Sequence, residues 1–240
     1  AIDYDRNGGF WLGHYNGGAV FYYHSYGDSL PGIILSCDLL ATNPSFTVTD
    51  IIVDDNYLWI GIEAGGLVRY TFESGQVKKY FDGTSERFVF DLYRDRKGNI
   101  WSCDYSGVKL YIETDEDFRG YYHNQQESYS LRPNVQGIFQ DFQGNYYTYH
   151  NGIGVFVSYL DRGFQLFNES DRFYWHLTNQ NISSICEDAE GNLWMGGFNG
   201  GINIFEWQTG RMIRHTASDN VPNRLGRGSV LAIYRDRNNE

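Results

Sequence analysis

The chain is poor in the residues that cross-link a fold, ligate a metal or grip a polyanion. Its three cysteines, Cys37, Cys103 and Cys186, are odd in number and include no C-x-x-C pair, which argues against a disulfide framework or a zinc site. They read as small buried apolar residues. Positive charge is also scarce: 19 Lys and Arg face 30 Asp and Glu, a net charge of -11 that repels phosphate backbones and anionic membranes, so nucleic acid is not an expected partner. No apolar run approaches the roughly 18 residues that span a bilayer, and the N-terminus has no basic stretch followed by an apolar one. Catalytic signatures are thin as well. The six His are scattered, no Ser or Cys sits in a nucleophile elbow, and Asp115-Glu116-Asp117 lacks the alternation and glycine of a calcium loop. No catalytic residue, metal or cofactor is expected.

What the chain has in quantity is aromatics and glycine. Tyr, Phe and Trp make up 18% of the residues, and 28 Gly stand against 4 Pro, a balance suited to short strands joined by tight turns. With 41% hydrophobic residues in 240, the chain can bury an extended core, and an all-β fold is the first expectation.

Internal repetition sharpens this into an architecture. One copy reads Asp188-Ala189-Glu190-Gly191-Asn192-Leu193-Trp194-Met195-Gly196 and then reaches Gly200-Gly201-Ile202. Earlier copies keep the same order around Asp5 and Trp11, Asp54 and Trp59, and Asp95 and Trp101, while the most degenerate has Asp141, Gly144, Asn145 and then Tyr147 in the Trp position. Successive aromatic positions are 48, 42, 46 and 47 residues apart, from Trp11 through Trp59, Trp101 and Tyr147 to Trp194. That period is near the length of a four-strand propeller blade. The chain therefore reads as an all-β propeller of four-stranded antiparallel blades, in about five repeats of roughly 47 residues.

Each copy divides into four strands. The first ends at the aspartate, whose carboxylate can accept backbone N–H bonds in a tight hairpin loop. The second carries the Trp or Tyr, which by periodicity belongs in the wedge between neighbouring sheets. Paired glycines precede the third strand, and a second turn precedes the fourth. Residues 1–5 and 230–236 both read as first strands, so one would be surplus in a ring closed from five repeats. The preferred reading is a segment, residues 1–240, of a larger propeller whose end faces meet other blades or domains of the same polypeptide, or a second copy in a homodimer. A compact five-blade ring is the alternative.

The run from Glu187 to Gly196, completed by Gly200-Gly201-Ile202 and repeated at residues 93–102, resembles the two-component regulator propeller repeat. The resemblance implies the sensor region of a hybrid two-component histidine kinase, periplasmic and anchored in the inner membrane, that detects oligosaccharides. The motif is a folding motif and carries over no site residues.

Site candidates come from positions where the repeat predicts exposure but an aromatic or charged residue stands, because sugars are recognised by flat apolar rings beside polar groups. The loop before the third strand supplies His14 and Tyr15, Glu63, Asp104 and Tyr105, His150, and Phe198 in successive blades, expected at one end of the central channel; solvated turn residues are the alternative. The inter-blade loop with Arg172, Tyr174 and Trp175 is a second candidate, for stacking on a sugar or packing against a neighbouring domain. Residues 124–134, with Tyr129 and Arg132, are a third. Two other functions stay open: a propeller lyase of the streptogramin-inactivating kind, with His14 or His150 beside Glu63, and a protein-interaction platform.

Overall fold

The computed structural model describes residues 1–15, 19–29, 31–36, 40, 46–81, 88–122, 131–159, 163–167, 177–198, 201–216, 225–226 and 228–236. Within them lie five four-stranded antiparallel sheets, each made of four consecutive strands paired in chain order. The first holds β1 (Ile2–Tyr4), β2 (Phe10–Gly13), β3 (Ala19–Tyr23) and β4 (Ile33–Ser36). The second holds β5 (Val48–Val53), β6 (Tyr57–Ile62), β7 (Gly66–Thr71) and β8 (Val77–Tyr80), and the third β9 (Val89–Arg94), β10 (Ile100–Asp104), β11 (Gly107–Ile112) and β12 (Asp117–Tyr122). The fourth holds β13 (Val135–Gln140), β14 (Tyr146–His150), β15 (Gly154–Tyr159) and β16 (Gly163–Phe167). The fifth holds β17 (Ile182–Glu187), β18 (Leu193–Gly197), β19 (Gly201–Glu206) and β20 (Arg211–His215). The expected blades are thus present. The chain divides into two compact units, Ala1–Gly120 and Tyr121–Glu240, with the boundary inside β12.

The repeated aspartate explains the first turn of each blade. Asp95 Oδ1 accepts the backbone N–H of Lys97 and of Asn99, both at 2.9 Å, while Oδ2 accepts Asn99 Nδ2 at 2.8 Å and Trp101 Nε1 at 3.0 Å. Asp188 repeats the pattern with Glu190, Asn192 and Trp194, and Asp141 grips Asn145 and the Tyr147 hydroxyl. One carboxylate closes the hairpin and fixes the aromatic ring of the next strand. Burial works against the charge on Asp188, but the Trp194 and Asn192 hydrogen bonds outweigh it and hold the carboxyl below its ordinary value. A second constraint falls on the first residue of the third strand, where Gly66, Gly107, Gly154 and Gly201 all have positive φ, between 77° and 157°.

Each first strand packs on the sheet before it within its unit: β5 on β1 and β2, β9 on β5 and β6, and β17 on β13 and β14. In the first two of these packings a glycine two residues after the blade aromatic makes the approach possible. A Cβ on Gly13 would collide with Val48, and one on Gly61 with Val89. Hydrogen bonds accompany the packing, with the Val53 N–H donating to Asp3 Oδ2 at 2.8 Å and the Leu92 N–H to Asp50 Oδ2 at 2.9 Å. Every first strand from β5 onward also carries a register shift near the start of its pairing, opposite Gly61, Cys103, Tyr149 and Gly196, so the same bulge recurs in four blades.

Residues 230–236 form no paired strand, yet they take the place of a first strand. The Val230 N–H donates to Gly197 O at 3.1 Å as the Val48 N–H does to His14 O at 3.2 Å, and Val230 covers Gly196 as Val48 covers Gly13. The Ser183 hydroxyl donates to the Val230 carbonyl.

Two expectations need correction. The five blade aromatics are not equally buried: Trp11, Trp59 and Tyr147 are 1–2% exposed, whereas Trp101 and Trp194 are half-buried. Trp59 lies between two sheets of its unit, against Tyr111 and Phe118, while Trp101 and Trp194 stand on the last sheet of theirs. Trp194 is flanked by Ile233, Tyr234 and Arg235 of the single extended segment. His150, expected in an exposed loop, is 0% exposed at the end of β14. Its Nδ1 lies 3.3 Å from Pro133 O, which can only accept, so Nδ1 carries the proton and Nε2 accepts from the Thr148 hydroxyl at 3.0 Å. Phe156 meets the ring edge-on at 4.7 Å. Burial lowers its pKa to about 4, against a weaker opposing pull from the Pro133 carbonyl.

Two measurements follow. In urea unfolding, Trp59→Ala costs about 3–5 kcal/mol from lost burial and the cavity left behind, and Trp194→Ala about 1–2 kcal/mol; equal losses contradict the assignment. Because His150 is held neutral by folding, its contribution is complete above pH 6.5 and is lost as pH falls toward 4, about 3 kcal/mol across that window. The difference between wild type and His150→Gln should therefore change with pH only there, and a constant difference counts against the buried neutral ring.

Candidate functional site

The end of the sheets that carries the second-to-third strand turns presents the aromatics expected from the sequence. In the first unit Tyr15, Glu63 and Tyr105 are all exposed, as is His14. Backbone bonds hold two of these turns, Glu63 N to Thr47 O at 2.9 Å beside the first strand of its own sheet and Val48 N of the next sheet to His14 O. Tyr105 is anchored further, because its ring meets Phe88 at 5.4 Å and Phe90 at 4.7 Å, both edge-on, and still leaves 49% of the residue exposed. A ring braced by two others and still half exposed can serve as a stacking platform. In the second unit Phe198 is exposed on the equivalent turn, tied by its N–H to Asn181 O at 2.9 Å. Arg172, Tyr174, Trp175 and Tyr129 lie outside the described residues, and Arg132 is exposed.

Other polar candidates of these turns face inward. Asp104 is fully buried, accepting from Ser106 N and Oγ and Gly107 N, and it pairs with the equally buried Lys109. Cys103 beside it is pushed well above 9.0, first by burial and then by the Asp91 charge. Burial also raises the Asp50 carboxyl, against hydrogen bonds from Leu92 and Ile51. With both Asp104 and His150 committed to the interior, neither is placed to meet a ligand.

Sequence reasoning missed a second site, at the opposite end where the aspartate turns lie. A cavity of about 500 Å³ opens between the first two sheets. Asp5, Trp11 and Tyr22 line one wall and Val53, Asp54 and Phe72 the other, with Arg6, Asp55 and Arg94 also contributing. Arg6 Nε pairs with Asp55 Oδ1 at 2.9 Å, both side chains well exposed. Here the first blade departs from the others. Asp5 Oδ2 accepts the Tyr22 hydroxyl at 2.6 Å, in the role that Trp59 and Trp101 Nε1 play toward their own aspartates. That bond, then burial, pushes the Tyr22 hydroxyl up to about 12. A Cβ at residue 9 would collide with the Tyr22 ring, so Gly9 is what admits it. The available signal was Gly9 itself, which stands where the later turns have Asn99, Asn145 and Asn192.

No described helix is long and apolar enough to cross a membrane. No curated protein matches the chain in sequence. Residues 176–199 match the two component regulator propeller family. Among solved structures, the chain resembles the extracellular domain of a protein described as a hybrid two component system from B. thetaiotaomicron, at TM-score 0.74 and 23% identity, over 99% of this chain and 31% of that one. It also resembles PorZ, a bacterial surface component of the type-IX secretion system of Porphyromonas gingivalis, at TM-score 0.71 and 16% identity, over 98% of this chain and 36% of that one. Virginiamycin B lyase from Staphylococcus aureus shares the fold at TM-score 0.63 and 15% identity, over 91% of this chain and 70% of the lyase. The chain thus spans about a third of the length of the two component ectodomain. It is a run of β-propeller blades whose residues 176–199 match the two component regulator propeller repeat.

Proposed function

We propose that this chain is the ligand-recognising propeller segment of a two-component sensor, lying on the extracellular or periplasmic side of an inner membrane, and that it binds an oligosaccharide without turning it over. The observation that carries the reading is Tyr105, a ring braced by Phe88 and Phe90, half exposed, and on the same turn series as Tyr15 and Glu63. Flat rings beside a carboxylate suit a sugar, whose C–H face stacks and whose hydroxyls donate. Phe198 offers a further platform on the second unit, and the loop with Arg172, Tyr174 and Trp175 is a proposed addition to it, for stacking on the sugar or for packing against a neighbouring domain. The fold shared with an ectodomain of a two component system and the repeat at residues 176–199 support the placement in a sensor. Further blades of the same polypeptide, or a second copy, are the proposed neighbours of the end faces.

The likeness to the lyase raises the enzyme reading again. Burial of His150, with both ring nitrogens engaged, argues against that residue as its base.

Thermal-shift screening of an oligosaccharide panel, followed by calorimetry on the hit, tests the proposal. Binding should weaken about tenfold or more in Tyr105→Ala, the scale of one lost aromatic stacking contact, while the ligand-free melting temperature stays near that of wild type. A hit indifferent to Tyr105→Ala and Glu63→Gln moves the site elsewhere. Steady release of a cleaved or rearranged product overturns the non-enzymatic reading.

A further inference from the structure

The wedges behind Trp11 and Trp59 are built differently. Around Trp59 lie the rings of Tyr57, Tyr80, Tyr111 and Phe118, with the Arg69 guanidinium 5.8 Å from the indole. Around Trp11 the described rings are Tyr22 at 4.9 Å and Phe72 at 5.8 Å, and the space beyond them is the cavity of about 500 Å³. A cavity of that size is within the range that holds a small organic molecule.

Its polar groups are unevenly spent. The carboxylates are occupied: Asp5 by Tyr22 and the N–H groups of Asn7 and Gly9, Asp54 by Asn56, Tyr57 and Trp59, and Asp55 by Arg6. Two donors are not. Trp11 is 2% exposed and lines the cavity, yet with Tyr22 holding Asp5 Oδ2, its indole N–H has no hydrogen-bond partner among the described residues. Arg94 lines the same cavity, and its guanidinium makes neither an ion pair nor a hydrogen bond among the described residues. The Trp11 N–H opens onto the cavity, where it can donate to a ligand oxygen. A free guanidinium favours a carboxylate, which it can hold through two parallel bonds. The remaining walls near these donors are rings and an aliphatic side chain, Phe72, Tyr22 and Ile33.

We propose that this inter-blade cavity is a second ligand site, which takes a small carboxylate with an aromatic or apolar body. The carboxylate meets Arg94 and the Trp11 indole N–H, and the body packs against Phe72 and Ile33. The site is separate from the turns that carry Tyr105, and the inference stands whether or not those turns bind sugar.

Phenylacetate is a suitable probe, with its uncharged isostere phenylacetamide as the control, added to the intact 240-residue chain. Binding in the millimolar range is expected for so small a molecule. Phenylacetate should bind about tenfold more tightly than the amide, the scale of one charge-assisted contact. Arg94→Gln, an exposed position that leaves the fold intact, should remove that preference. In ¹H–¹⁵N spectra one of the six indole N–H signals should move on titration, and Trp11→Phe should identify it by its loss. Absence of binding up to about 20 mM overturns the proposal. Equal affinity for acid and amide, or an acid preference unchanged in Arg94→Gln, overturns it too, as does a shift confined to an indole other than Trp11.

Discussion

The fold depends on one carboxylate per blade. A hairpin of four or five residues needs its inner N–H groups satisfied, and an indole or phenol buried beside it needs an acceptor. The aspartate supplies both from its two oxygens, as at Asp95 and Asp188. This couples two scales of structure. The turn that ends the first strand also sets the ring that fills the gap to the next sheet, so local hairpin geometry and inter-blade packing are fixed by the same residue. At Asp188 the cost of drawing the carboxylate partly out of water is met by four donors, which hold the carboxyl below its ordinary value.

This coupling is also why so much of the architecture could be read from sequence. Asp, Gly, Asn and Trp recur because each has a separate physical duty within a few residues, and four duties returning together at one period specify a series of like sheets. Burial of individual rings was less legible. Trp59 and Trp194 occupy the same register position, but only Trp59 lies between two sheets of its unit. His150 shows a different limit. Alternation along a strand separates inside from outside only when one face is wet. In these blades both faces pack, as the buried Tyr147, Thr148 and His150 of β14 show, so placing His150 next to a turn said little about where its ring would point.

The cavity behind Trp11 was hidden for a related reason. What opens it is the exchange of one hydrogen-bond donor for another on Asp5, and the incoming donor, Tyr22, belongs to the third strand, 17 residues away. Pairing between β2 and β3 sets Tyr22 directly opposite Trp11, a fact of register that the motif does not contain. The missing asparagine at Gly9 marks the site only once it is known that the asparagine amide normally shares the carboxylate.

The close approach of Gly13 to Val48, of Gly61 to Val89 and of Gly196 to Val230 has a consequence for how such a chain can grow. Each of these three contacts is made between a groove offered by one repeat and a knob offered by the segment that follows, in constant phase along the sequence. A repeat with this glycine and valine therefore presents a groove that its own duplicate can fill, whereas the repeats with Cys103 and Tyr149 at the glycine position do not. Copying one blade in tandem brings a matching surface at both joints, so the array can be lengthened or shortened by whole blades without redesigning an interface, whereas an insertion that shifts the phase by one residue would turn the valine away and leave the groove empty.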